Sequence, residues 1–159
     1  MNMRVGGVVC GVALLLLSAV VVTGCSGEKG SSSDDPRQVV ISFFGAMQKD
    51  DKAALAHMLD LVALMKDDNS DYALSTNNPR TFTSPEDILD DLTGDGKTKT
   101  KWFALQRIVN EAKIDGDNAL VEVTFVDKGV SKGYRTMFGL HKIQNKWRIY
   151  SFNVFQESP

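Results

Sequence analysis

Cysteine and histidine are nearly absent from this sequence. The 159 residues include two of each, and both cysteines, Cys10 and Cys25, lie before residue 26. The remaining chain therefore offers no thiol for a disulfide, a zinc site or covalent catalysis. His57 and His141 alone are too few to build a tetrahedral zinc centre, so no metal is expected. An excess of basic charge is missing too: 18 Lys and Arg stand against 20 Asp and Glu. Nucleic-acid binding needs clustered cations to replace the counterions of the phosphate backbone, and this balance excludes it. Phosphate-binding glycine loops, nucleophile elbows and dinucleotide fingerprints are also lacking, and no cofactor is expected.

What the chain does have is one long apolar run, and it lies entirely at the N-terminus. Arg4 is followed by Val5 to Val22, with Leu14, Leu15, Leu16 and Leu17 at the centre, and the run ends in Val22-Thr23-Gly24-Cys25. A charged start, an apolar middle and small residues before a cut site make a signal peptide. A membrane-spanning helix is the competing reading, which the terminal tetrapeptide disfavours. That tetrapeptide resembles the lipobox of bacterial lipoproteins. The resemblance implies removal of residues 1–24, a thioether from Cys25 to diacylglycerol, and a fatty acyl chain such as palmitate on the new amine. Buried acyl chains contribute about 0.8 kcal/mol per CH₂, so the partner implied at Cys25 is a membrane, held through lipid. The expected location is the cell envelope on its extracytoplasmic side. Ser26 in place of Asp favours the outer membrane where the source has two.

Residues 25–35 form the lipidated cysteine and a polar tether, SGEKGSSSD at its centre, with no apolar side chain to bury. Nine such residues reach about 15–18 Å on a root-mean-square basis, which keeps the domain near the bilayer. Removal of Arg4 leaves 17 basic side chains against the 20 acidic ones, a weakly acidic mature protein. Residues 36–159 have the length of one single-core domain.

Within that domain Asp35-Pro36 is a helix start, and Val39, Val40, Phe43, Phe44 and Met47 form one apolar stripe over about 36–49. Asp51 caps a second helix in which Leu55, Met58, Leu59, Val62 and Met65 are expected to be buried. Residues 66–83 lose periodicity and read as a loop. Ser84-Pro85 opens a short third helix through Ile88, Leu89 and Leu92. Beyond Trp102 the period becomes two, giving strands near 104–114, 119–127, 133–143 and 146–155. A two-residue turn at Gln144-Asn145 pairs Lys142 with Trp147, Leu140 with Ile149, Phe138 with Ser151 and Thr136 with Asn153.

Three N-terminal helices followed by an antiparallel sheet of about four strands make an α+β fold. The carrying segments, Pro36 to Leu59, Asn118 to Val123 and Asn145 to Ile149, resemble the nuclear transport factor 2-like superfamily, a cone in which a curved sheet wraps around helices. The lipobox, tether and domain layout together are similar to bacterial lipoproteins whose domain has no assigned role. Enzymes of that superfamily, dehydratases and isomerases among them, work in the cone with Asp, His or Tyr, while other members only bind or dimerise.

On the sheet face shared by Trp147 and Ile149, the polar candidates are Asn110, Thr136, Ser151 and Asn153, with Tyr134 near a strand end and Tyr72 from the loop. Amides and hydroxyls cannot serve as general acids or bases near neutral pH, which leaves no catalytic residue among them. They suit a small apolar or neutral ligand instead. His57 is placed on the solvent side of its helix and His141 on the outer sheet face without partners. Asp67, Asn69 and Asp71 match a calcium-loop spacing, but Tyr72 stands where glycine is required and Asn78 where the bidentate Glu belongs. An outer-face band of Val126, Met137, Tyr150, Phe152 and Val154 points to homodimerisation through the sheet. The expected function is a membrane-anchored binding module for a small ligand or protein, performing no chemistry. The alternatives are a dehydratase or isomerase using Tyr134, Asp71 or Asp87, and a structural envelope protein.

Overall fold

The computed structural model describes residues 35–66, 82–129 and 132–155. Helix α1 (Pro36–Gln48) begins where Asp35 accepts a hydrogen bond from the Arg37 N–H at 2.9 Å, with Pro36 in the first turn. All five residues of its expected stripe are buried. The chain reverses at Asp50, whose φ is +56°, and Asp51 caps α2 (Lys52–Met58) by accepting from the Ala54 N–H at 2.9 Å.

The sequence pattern predicts that this second helix continues through Met65, and instead it breaks at Leu59-Asp60. Leu59 is extended and forms a parallel bridge to Ile149, while the Asp60 N–H donates to the Ile149 carbonyl at 2.8 Å. The Asp60 carboxylate then accepts from the Ala63 N–H at 3.0 Å and starts α3 (Leu61–Lys66). Main-chain pairing with an open sheet edge thus replaces helical bonds at one point, and it covers an edge that would otherwise be sticky. The break turns Val62 out to 62% exposure and puts Leu64 into the core instead.

Helix α4 (Pro85–Asp91) carries a complete capping box, with Ser84 accepting from the Asp87 N–H and Asp87 accepting from the Ser84 N–H. A fifth helix, α5 (Lys97–Phe103), was not expected, because KTKTK alternates without an apolar period. Tertiary contacts make it: Trp102 is fully buried, and the buried carboxylate of Asp91 accepts from the Thr98 hydroxyl in the first turn. Gly96 is required between α4 and α5, since a Cβ there would stand 2.2 Å from the Asp91 carbonyl oxygen. The described residues therefore contain five helices where three were expected.

Four strands, β1 (Gln106–Asp115), β2 (Asn118–Asp127), β3 (Lys132–Ile143) and β4 (Lys146–Phe155), form one antiparallel meander in sequence order. The fold class is α+β. Gln144 and Asn145 both have positive φ, 51° and 64°, as the tight turn of a two-residue hairpin demands. The pairings Lys142 with Trp147 and Leu140 with Ile149 are present. Next, however, Gly139 pairs with Ser151, leaving Tyr150 as an extra residue in β4. This bulge moves the register by one, so Phe138 faces Phe152 and Thr136 faces Val154. A second bulge, in β1 between Val109 and Ala112, puts Val109 opposite Val123 and turns Ile108 to the outer face, 47% exposed. The Arg37 guanidinium donates to the Val109 carbonyl at 3.1 Å and so blunts the β1 edge.

Between helices and sheet the space is filled with rings. Phe43 and Phe44 of α1 and Trp102 of α5 pack on Phe125, Phe138 and Phe152 of the sheet, with centroid separations such as 5.8 Å for Phe43 to Phe138 and 5.5 Å for Trp102 to Phe125. All six are at most 8% exposed. Edge-to-face pairs such as Phe43 with Phe138 add about 0.5–1.5 kcal/mol each beyond their burial.

Candidate functional site

The inner sheet face is set by β2, where Ala119, Val121, Val123 and Phe125 are all buried. Their partners on β3 are Leu140, Phe138, Thr136 and Tyr134. Two of the polar residues expected on this face are therefore there. Thr136 is fully buried, and its hydroxyl has no hydrogen-bond partner among the described residues. Tyr134 is half-buried against the core.

The two bulges send the others elsewhere. Asn110 donates to Glu122 Oε1 at 3.1 Å and to Thr124 Oγ1 at 3.2 Å, and both acceptors lie on the outer face of β2. Ser151 is likewise outer: a Cβ added to Gly139, its partner, would stand 2.3 Å from Ser151 Oγ. Asn153 takes the register position opposite Met137. The expected pocket of Asn110, Thr136, Ser151 and Asn153 is thus not assembled. In the opposite direction, Phe152 leaves the expected outer band and joins the core at 2% exposure. Cys25, Tyr72 and Asp71 lie outside the described residues. Asp87 is engaged in the capping of α4, where hydrogen bonds from the Thr83 hydroxyl and N–H, with those from Ser84, hold its carboxyl below the usual carboxylate range.

The outer face carries an arrangement that periodicity does not reveal. His141 Nε2 lies 3.0 Å from Asp60 Oδ2, so the histidine read as partnerless has a carboxylate neighbour from the α2–α3 junction. The Tyr150 ring lies against His141, with centroids 4.9 Å apart and planes tilted by 32°. The same ring crosses the sheet over Gly139, where an added Cβ would come within 2.8 Å of Tyr150 Cζ and 3.0 Å of its hydroxyl. The bulge aims the tyrosine, and the glycine lets it lie down. Those two signals, a glycine inside a strand and an aspartate inside a helical pattern, were available in the sequence.

Tyr150 ends in a groove of about 290 Å³ at the β1–β2 end of the outer face, lined by Lys113, Ile114, Asp115, Asn118, Ala119 and Leu120. Leu120, on the outer face, is 42% exposed, whereas Ile114 pairs with Ala119 and belongs to the inner face. Lys113, Asp115 and Asn118 are exposed there. A shallower furrow of about 480 Å³ runs between α1 and α2 past Ser42, Gly45, Ala54 and His57. His57 is exposed there, as its helical position predicts. No cluster of three metal-ligating side chains occurs among the described residues, and no described helix is long and apolar enough to cross a membrane.

Searches against protein-family models and against curated proteins give no match to this chain. The functional reading therefore rests on the residues themselves.

Proposed function

We propose that this protein is a lipid-anchored, extracytoplasmic binding module that holds a small ligand or partner at the membrane surface through the outside of its sheet and performs no chemistry. In this reading Cys25 carries the lipid, residues 26–35 tether the domain, and the domain is a nuclear transport factor 2-like cone whose interior is closed. The order of helices followed by a four-strand meander supports that assignment.

The observation that carries the reading is the filled interior. Phe43, Trp102, Phe125, Phe138 and Phe152 occupy the space where a cone enzyme keeps its substrate, each at most 2% exposed. Acid–base catalysis needs a tunable group within hydrogen-bond reach of the substrate, and apart from Tyr134, half-buried against the core, the described inner sheet face presents no tyrosine, carboxylate or imidazole. Recognition is thereby shifted outward, to the groove beside Tyr150. The register shift also alters the dimer reading. With Phe152 turned inward, Met137, Val126 and Ile108 of the outer face are interspersed with Asn110, Glu122, Thr124 and Arg135, a surface less continuously apolar than the expected band.

A structural envelope protein is the second reading, and the same filled interior favours it over an enzyme. The groove beside Tyr150 favours a binding module over it. Labelling of cells with radioactive palmitate tests the anchor: wild type incorporates label and Cys25→Ala does not. Equal incorporation by both would overturn it.

A further inference from the structure

We infer that the β1 edge of the domain, with Ile41, Ile108, Ile114 and Leu120 along it, rests at headgroup depth on the bilayer that holds the lipid. This deepens the anchored-module reading and rests on it. Helix α1 runs alongside β1. The Arg37 guanidinium donates to the Val109 carbonyl at 3.1 Å and its Nε lies 3.7 Å from Glu111 Oε1, while two turns later the Arg107 guanidinium stands 5.5 Å from the centre of the Phe44 ring. Going back along α1 toward Asp35 is thus going forward along β1 toward Ile114. Nine residues separate Cys25 from Asp35, and none has an apolar side chain. Their root-mean-square reach of about 15–18 Å is half the diameter of a domain of this length, about 35 Å, so the side on which α1 begins is the side kept at the bilayer.

The exposed apolar surface is on that same side. Among the described residues the exposed large apolar side chains are Ile41, Val62, Ile108, Ile114 and Leu120, and all but Val62 border β1. Ile108 and Ile114 belong to the strand, and Leu120 pairs with its Lys113. Ile41 follows Arg37 by four residues, which puts it on the helix face that meets the strand. Both faces of an edge strand reach the rim of the sheet, so Ile108 and Leu120 from one and Ile114 from the other meet one surface. Scattered singly such side chains need no explanation, but gathered beside the attachment point they mark a contact surface. Two features select a bilayer as the occupant over a second copy of the chain. The bulge between Val109 and Ala112, with the Arg37 guanidinium on the Val109 carbonyl, interrupts the edge, so another strand finds no unbroken row of main-chain groups to pair with. A fluid surface needs no register. Beyond Val109, Lys113 together with Arg37 offsets Glu111 and Asp115, which leaves apolar contact rather than attraction to anionic headgroups as the source of docking. Docked in this way, the groove beside Tyr150 opens toward the lipid surface.

Electron paramagnetic resonance on the full-length protein, lipidated in cells and reconstituted into phosphatidylcholine vesicles, tests this. The lipid on Cys25 leaves no other thiol in the mature chain, so Ile114→Cys, Leu120→Cys and Val62→Cys each carry a single nitroxide label. All three positions are exposed, and unchanged melting of the labelled variants shows that their folds are intact. Oxygen concentrates in lipid and a nickel chelate stays in water, so the ratio of their collision rates with the label reports depth. That ratio is expected to be about threefold or more higher for the labels at Ile114 and Leu120 than for the label at Val62, and to be the same in about 0.1 M and 0.5 M salt. Equal ratios at the three sites, or a difference lost in high salt, overturns the inference. So does a label at Leu120 that is shielded from both reagents and broadened by a neighbouring label, since a second copy then covers the edge. Those outcomes leave the anchored binding module standing, because its own test is the Cys25-dependent palmitate label.

Discussion

Thr136→Val should make this protein more stable. Thr136 sits in the middle of β3, fully buried between Val123 and Val154 in register, and its hydroxyl has no hydrogen-bond partner among the described residues. A buried polar group left unsatisfied costs about 1–3 kcal/mol. Valine keeps the β-branched shape and its strand preference, removes that penalty, and adds one buried methyl worth up to about 0.8 kcal/mol. A net gain of about 1–2 kcal/mol is expected, which for a domain of this size raises Tm by roughly 4–8 °C. Circular dichroism melting of wild type and variant at one protein concentration measures it. A fall in Tm of several degrees would refute the reasoning, because it would mean that the hydroxyl is bonded in solution and that the interior holds a polar guest.

Asp60→Ala should cost about 1–2 kcal/mol in urea unfolding, since it removes the cap of α3 and strips His141 of its partner at the same time; no change would show that the α2–α3 junction is held by its main-chain bonds alone. Gly96→Ala should cost about 2–3 kcal/mol, because its Cβ meets backbone atoms of Asp90 and Asp91 that cannot turn aside; melting within a degree of wild type would contradict this. Acid should weaken the fold through Asp50 and Asp87. The Asp50 carboxyl is held low by Lys99 and by the Gly94 N–H, and that of Asp87 by Thr83 and Ser84. Groups with a lowered folded pKa contribute stability above the unfolded carboxylate value and lose it as pH falls through the folded one. Tm should accordingly decline from about pH 5 downward, and Asp50→Asn should flatten that decline; an identical slope in the variant would count against the Lys99 contact.

The first helix, the capping box at Ser84, the four strands and the hairpin at Gln144-Asn145 were legible because local signals and burial agree there. Val39 to Met47 keep one period and one face throughout. Where the sequence misled, a tertiary contact outweighed a periodic one. Leu59 and Asp60 continue a helical pattern but bond to Ile149, and Trp102 organises a helix from residues with no stripe of their own. The candidate site suffered most because strand alternation has a period of two. One extra residue at Tyr150 and another in β1 near Asn110 exchange the faces of everything beyond them. Asn110 and Ser151 moved to the outer face for that reason, where Ser151 stays buried, and Phe152 entered the core. Thr136 and Tyr134 stayed because β2 and β3 pair without a break.

Native mass spectrometry of the full-length protein purified from membranes tests the central claim, that the interior is closed and recognition lies on the outer sheet face, most directly. The account predicts a co-purifying small molecule that is retained by Thr136→Val and lost by Leu120→Lys. Retention in Leu120→Lys together with loss in Thr136→Val would place the ligand inside the fold and contradict it.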